Sequence, residues 1–218
     1  MTKPRLLDLF CCAGGASMGY HKAGFEVVGV DIEPQPNYPF EFHQADAMDY
    51  PIEGFDAVHA SPPCQDHSRL SKNYGAPVHG TGKLLENTLA RLAGIKYWIV
   101  ENVQDADMPG AITLCGASFG LGASGLDLPR HRKFKTSFPL LAPPCSHRPG
   151  KTMGVYGNGT NSWHRKKLGR NLTMAEMREA MQIDWTNRYE LSQAIPPAYT
   201  EYIGKALMQR IEADQNNR

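Results

Sequence analysis

The chain has 218 residues, 41% hydrophobic and 21% charged, which is enough to bury a core and too apolar for wholesale disorder. Lys and Arg number 23 against 22 Asp and Glu, so the formal charge is +1 and a globally basic chromatin-type protein is excluded. No run approaches the ~18–20 apolar residues of a bilayer span, which argues against a membrane protein.

The start, Met1 to Arg5, is basic, but Asp8 breaks the apolar run behind it, unlike a signal peptide. Arg5 to Phe10 reads as a short buried strand, followed by a turn at Cys11 to Gly15 and a helix from Ala16 to Ala23 that Gly24 stops. Glu26 to Asp31 and Phe40 to Asp46 read as the second and third strands, each ending in an acid. Phe55 to Ala60 is the fourth and runs into Ser61-Pro62-Pro63-Cys64-Gln65. Leu84 to Leu92 has helical apolar spacing, and Lys96 to Val103 is a fifth strand that delivers Glu101 and Asn102. Near the end, Thr173 caps a helix from Met174 to Ile183, whose Met174, Met177 and Met181 stripe faces the core. Pro196-Pro197 opens a last helix from Ala198 to about Ala213, and 214–218 is expected to fray.

Strands alternating with helices predict an α/β fold with a mostly parallel, doubly wound, Rossmann-like sheet. Ligands of such sheets sit beyond the carboxyl ends of the strands, and the polar residues named above fall there. Gly14-Gly15 permits close backbone approach, although the spacing is not GxGxxG. Asp31 can accept hydrogen bonds from ribose hydroxyls and Asp46 from an adenine amine, so together they suit an adenosine-bearing ligand.

Two prolines stiffen the loop before Cys64 and hold its thiol in one place, as nucleophilic attack requires. Cys11, Cys12, Cys115 and Cys145 read as small buried hydrophobes in a reducing, cytoplasmic compartment. Cys145-Ser146-His147 offers two metal ligands without evident partners, so no metal is expected. Glu101, at the mouth of an apolar strand, is expected to have a raised pKa and to handle a proton near neutrality, while Asn102 pins the neighbouring loop.

The order Asp8-Leu9-Phe10-Cys11-Cys12-Ala13-Gly14-Gly15, Val30-Asp31-Ile32-Glu33, Ser61-Pro62-Pro63-Cys64-Gln65 and Glu101-Asn102-Val103 resembles the cytosine-C5 DNA methyltransferases. Arg130-His131-Arg132 is similar to their Arg-x-Arg motif, and Leu172 to Glu176 and Ser192 to Pro197 to their last two motifs. The resemblance implies S-adenosylmethionine held by Phe10, Gly14, Gly15, Asp31, Ile32, Asp46, Pro62, Leu84, Gln193 and Ala194. It also implies Cys64 as the nucleophile toward C6 of a flipped cytosine, Glu101 at N3 and the exocyclic amine, and Arg132 with Arg130 at the base carbonyl or a phosphate. Departures are Cys12 where Gly is usual, Asp31 where Glu is usual, and Ser192-Gln193 where Gly-Asn is usual.

The family's large target-recognition domain is here reduced to about 140–170, set within a catalytic domain of 1–139 and 171–213. Residues 128–174 hold ten Lys or Arg and no Asp or Glu, so against a total of +1 the remainder carries −9. This charge predicts phosphate binding, with Gln65, Ser68, Arg130, Arg132, Tyr156, Trp163, Arg165, Lys166, Lys167 and Arg170 on the nucleic acid and with short or relaxed specificity. The expected partner is double-stranded DNA and the expected state a monomer. The rivals are a transfer-RNA cytosine methyltransferase and a catalytically silent DNA-binding or partner subunit, the latter disfavoured by intact Cys64 and Glu101.

Overall fold

The computed structural model describes residues 2–63, 83–157 and 168–216. Its nine strands are β1 (Arg5–Leu9), β2 (Glu26–Asp31), β3 (Glu41–Gln44), β4 (Ala57–Ala60), β5 (Trp98–Val103), β6 (Ile112–Leu114), β7 (Gly122–Ala123), β8 (Leu126–Asp127) and β9 (Arg132–Thr136). The helices are α1 (Gly15–Lys22), α2 (Leu84–Leu92), α3 (Met174–Met181), α4 (Arg188–Gln193) and α5 (Pro197–Asn216). Seven strands form one sheet in the order β3-β2-β1-β4-β5-β9-β6, while β7 and β8 pair as a small ribbon. The ladders from β3 to β5 are parallel, and β9 is antiparallel to both β5 and β6.

Alternation along the strands builds two cores. Leu6, Val27, Ala57 and Ile99 face α1 and α5 in one cluster with Tyr20, Phe134, Tyr199 and Ile203. Leu7, Leu9, Val28, Val30, Val58 and Val100 face the opposite side, which Leu85 and Leu92 of α2 cover. Near-continuous apolar runs are what a sheet covered on both faces needs. Helices α1 and α5 approach closely because Gly19 has no side chain: a Cβ there would fall 2.0 Å from Thr200 Oγ1. That hydroxyl donates to Ala16 O at 2.7 Å.

Strand order reverses between β1 and β4, both of which flank the crevice where doubly wound sheets bind ligands. The expected β1 and β2 hold to within a residue, whereas the third strand stops at Gln44 and leaves Asp46 just beyond it. Thr173 does cap α3, in a capping box with Glu176. The expected fraying from 214 is corrected: α5 continues through Asn216, and Asp214 pairs with Lys96 and accepts from Tyr97. Among the described residues no helix is long and apolar enough to cross a membrane.

Candidate active site

The turn after β1 is shaped by backbone in the left-handed region at Phe10, Cys12 and Gly14, with φ of 61°, 45° and 80°. Asp31, ending β2, braces it: Cys12 N–H donates to Oδ2 at 2.9 Å and Glu33 N–H to Oδ1 at 3.0 Å. Trp185 donates its indole N–H to Ala13 O at 2.8 Å from the far end of the chain.

The structure changes the reason for the two glycines. A Cβ on Gly14 would meet the Tyr38 ring and Pro39 at 2.9 Å, and one on Gly15 would sit 2.4 Å from Ile195 O. The chain's own packing therefore forbids side chains at both positions, whatever ligand approaches the turn. Each Asp31 oxygen keeps a second lone pair beyond its backbone bond. Ile32 beside it is an apolar side chain 62% exposed at the strand mouth. Asp46 is exposed, its Oδ1 accepting Met48 N–H at 2.8 Å in a tight turn. Leu84 opens α2 half-buried. Ala194 follows α4 and packs on the Gly15 turn, while Gln193 is exposed. A carboxylate with open lone pairs next to an exposed aliphatic side chain suits a ligand carrying a ribose and a flat ring.

Strand β4 leads into Ser61-Pro62-Pro63, and β5 runs beside it. Asn102, buried in β5, donates from Nδ2 to Pro62 O at 3.1 Å and accepts Val103 N–H at 2.9 Å. It is the loop clamp that the sequence suggests. Cys64, Gln65 and Ser68 lie outside the described residues.

Glu101 is 6% exposed, and burial pushes its pKa up against the pull of Arg132, Arg130 and a Ser61 hydrogen bond. Arg132 Nε is 3.1 Å from Glu101 Oε1. The N–H is not aimed at that oxygen, which has no hydrogen-bond partner among the described residues. Glu101 is thus a desolvated carboxyl with one buried, unpaired oxygen, next to a cation. A buried relay that sequence reasoning missed stands behind it. Tyr20 OH is 2.9 Å from His59 Nδ1, and His59 Nε2 is 2.8 Å from Ser61 Oγ. Burial drives the His59 pKa down to about 3, so its imidazole is neutral.

Arg130, expected at the base or a phosphate, is buried and spends its donors on backbone carbonyls. Its Nε and Nη2 donate to Ala194 O at 3.1 and 2.7 Å, Nη2 also to Ser192 O at 2.7 Å, and Nη1 to Val155 O at 2.9 Å. Burial lowers its pKa to about 9. The guanidinium thereby ties the start of β9 to the end of α4, beside Gly15.

The basic arm is also less free than its composition suggests. Arg148 forms a fork with Asp127, Arg170 with Glu176, and Lys133 donates to Ala106 O at 2.6 Å. Arg170, expected on the nucleic acid, is exposed and also braces the cap of α3 through Glu176. Tyr156 is 55% exposed and folds its ring over Gly154, where a Cβ would fall 2.1 Å from it. Trp163, Arg165, Lys166 and Lys167 lie outside the described residues.

Residues 4–106 match the family model for the C-5 cytosine-specific DNA methylases. No curated protein matches the sequence. Among solved structures the chain is similar to a putative DNA modification methyltransferase from an E. coli prophage, at TM-score 0.65 and 14% identity over 96% of this chain and 100% of that one. It is also similar to S. pombe Dnmt2 methyltransferase, at TM-score 0.60 and 12% identity over 96% of this chain and 99% of that one. The Entamoeba histolytica methyltransferase EhMeth matches at TM-score 0.58 and 12% identity, over 97% of this chain and 99% of that one. At these identities the structural matches establish the Rossmann-like methyltransferase fold. The match to the C-5 cytosine-specific DNA methylase model spans the motif-bearing residues 4–106, with Asp31, the Pro62-Pro63 loop and the buried Glu101-Asn102 pair, and the chain as a whole follows the fold of the methyltransferase structures.

Proposed function

We propose that the protein is an S-adenosylmethionine-dependent DNA cytosine-C5 methyltransferase, with 140–170 as a reduced recognition insertion. The observation that carries this reading is the Glu101-Asn102 pair. It sets a buried carboxyl, whose pKa burial raises, and a clamp on Pro62 side by side at the crevice, two residues before Cys64.

C5 of cytosine is too weak a nucleophile to take a methyl group unaided. Cys64 adds to C6, which moves electron density to C5 and divides one hard step into easier ones. Glu101 accepts from the exocyclic amine and supplies or shares a proton at N3 while charge builds in the ring. Arg132, beside Glu101, faces the same side of the base and holds its carbonyl or a nearby phosphate. S-adenosylmethionine, when bound, supplies an activated methyl group. Asp31 would hold its ribose and Ile32 its adenine face, with Asp46 within the same strand-end rim. Loss of the C5 proton and departure of Cys64 restore the aromatic ring. A duplex substrate must present the base flipped out of its stack.

Exposed Tyr156 and Lys151, half-buried Lys135 and the basic stretch around Arg165 to Lys167 support a nucleic-acid partner. Transfer of labelled methyl groups to duplex DNA and to transfer RNA, compared side by side, tests the reading. Incorporation into DNA at cytosine C5 is expected. Incorporation into transfer RNA alone would move the assignment to RNA, and incorporation into neither would remove it.

A further inference from the structure

On the far side of Arg132, four residues that the sequence scatters converge. Cys115 precedes the 3-10 turn Gly116–Phe119, and His131 sits between the two arginines at the start of β9. Cys145 and His147 lie on the stretch after β9, which has no regular structure. One ligand atom from each residue lies within 4.8 Å of all the others. Cys145 Sγ is 2.9 Å from His147 Nδ1 and 3.3 Å from His131 Nε2, and Cys115 Sγ is 3.6 Å from His147 Nδ1. A tetrahedral ion with Zn–S of about 2.3 Å and Zn–N of about 2.0–2.1 Å sets neighbouring ligand atoms about 3.3–3.8 Å apart. The three shorter separations lie within about 0.7 Å of that geometry, and the widest, at up to 4.8 Å, must close by about 1 Å, which side-chain rotation can supply.

The backbone that holds them is fixed independently. Ser118 donates to Pro144 O at 2.6 Å, Tyr202 to Leu141 O at 2.7 Å and Arg210 to Pro139 O at 2.9 Å, and Arg148 forks onto Asp127. Cys115 is buried and Cys145 exposed, so the cluster opens to solvent on one side and an ion has a way in. Hydrogen bonds from thiols are weak, and they give little reason for two cysteines and two histidines to point at one spot.

We propose that Cys115, His131, Cys145 and His147 form a structural Cys2His2 zinc site. Thiolate and imidazole ligands select zinc over magnesium or calcium. Four protein ligands close the coordination shell and leave no position for catalysis. On binding, the two thiols release their protons to solvent, so the two thiolates balance the charge of the ion. The ion staples the segment that enters the basic arm onto the Arg130-His131-Arg132 stretch, and so fixes the strand that presents Arg132 to Glu101.

The test is metal analysis of the full chain grown with zinc and desalted. About one zinc per chain is expected, falling at least tenfold in Cys145→Ser. Cobalt substitution should give the intense visible bands of a tetrahedral site together with thiolate charge transfer. Chelation should lower the melting midpoint by about 5–15 °C, restored by zinc chloride and not by magnesium chloride. Because Cys145 is exposed, Cys145→Ser should keep the far-ultraviolet circular dichroism of the parent while losing the cobalt bands. Metal-free protein that takes up no zinc on titration, or undiminished uptake by Cys145→Ser, would overturn the site.

Discussion

Asp8 is a carboxyl group with little reason to be charged where it lies. It sits in β1, fully buried between two strands, and its Oδ2 accepts the Ser17 hydroxyl. Its Oδ1 has no hydrogen-bond partner among the described residues. Burial, reinforced by the charges of Asp31 and Glu101 and opposed by Ser17, raises its pKa from 3.8 to about 7. Between those values the folded chain holds a proton that the unfolded chain has released, so stability falls as pH rises through the window. A shift of that size corresponds to roughly 4 kcal/mol lost from about pH 4 to pH 8. Asp8→Asn cannot ionise, but it leaves an amide N–H₂ near the unpaired Oδ1 position, which costs about 1–3 kcal/mol. The variant should therefore be more stable than the parent at pH 8 by about 1–3 kcal/mol, or roughly 3–10 °C in melting midpoint for a chain of this size. That advantage should vanish by about pH 4.5, where Asp8 is protonated. Urea melts of both proteins across pH give the difference free of other titrating groups, which are common to both. A difference that does not change with pH would refute the reasoning.

Asn102→Ala frees the Pro62 carbonyl and lets the loop before Cys64 shift, so kcat should fall about 100-fold with little change in KM. Equal losses in both constants, or none, would remove its positioning role. Gly15→Ala drives a methyl group into Ile195 O and should destabilise the fold by about 1–3 kcal/mol by denaturant titration, even without ligand. Unchanged stability would return Gly15 to a purely ligand-facing role. Glu101→Gln keeps the shape but cannot give up a proton, and single-turnover methyl transfer should slow by about 100-fold or more. Near-normal turnover would leave the carboxyl without a chemical part.

The parallel half of the fold was legible because its signals are local. β2 has the expected bounds since Val27, Val28 and Val30 leave little other choice, and Thr173 announces α3 through Glu176 three residues later. Strand β9 was hidden because Arg132-Lys133-Phe134-Lys135-Thr136 carries one buried apolar residue among cations, and pairing with β5 and β6 makes it a strand. The buried Glu101 carboxyl and the Asn102 clamp could be read from their place at a strand end. The Tyr20-His59-Ser61 relay could not, since it joins α1 to β4 through contacts 39 residues apart. Composition overstated the basic arm because Asp127 and Glu176, which neutralise Arg148 and Arg170, lie just outside the window 128–174. The Cys-His cluster escaped for a related reason: Cys145 and His147 are neighbours in sequence, but Cys115 and His131 reach them only across folded strands.

The central claim is that the thiol of Cys64 bonds to a pyrimidine ring within reach of the Glu101 carboxyl. The most direct measurement is the mass of the chain after incubation with S-adenosylmethionine and duplex DNA carrying 5-fluorocytosine. The fluorine blocks loss from C5, so a denaturation-resistant protein–DNA adduct should accumulate, map to Cys64 and be absent in Cys64→Ser. No adduct with methylation-competent protein, or an adduct that survives Cys64→Ser, would contradict the account.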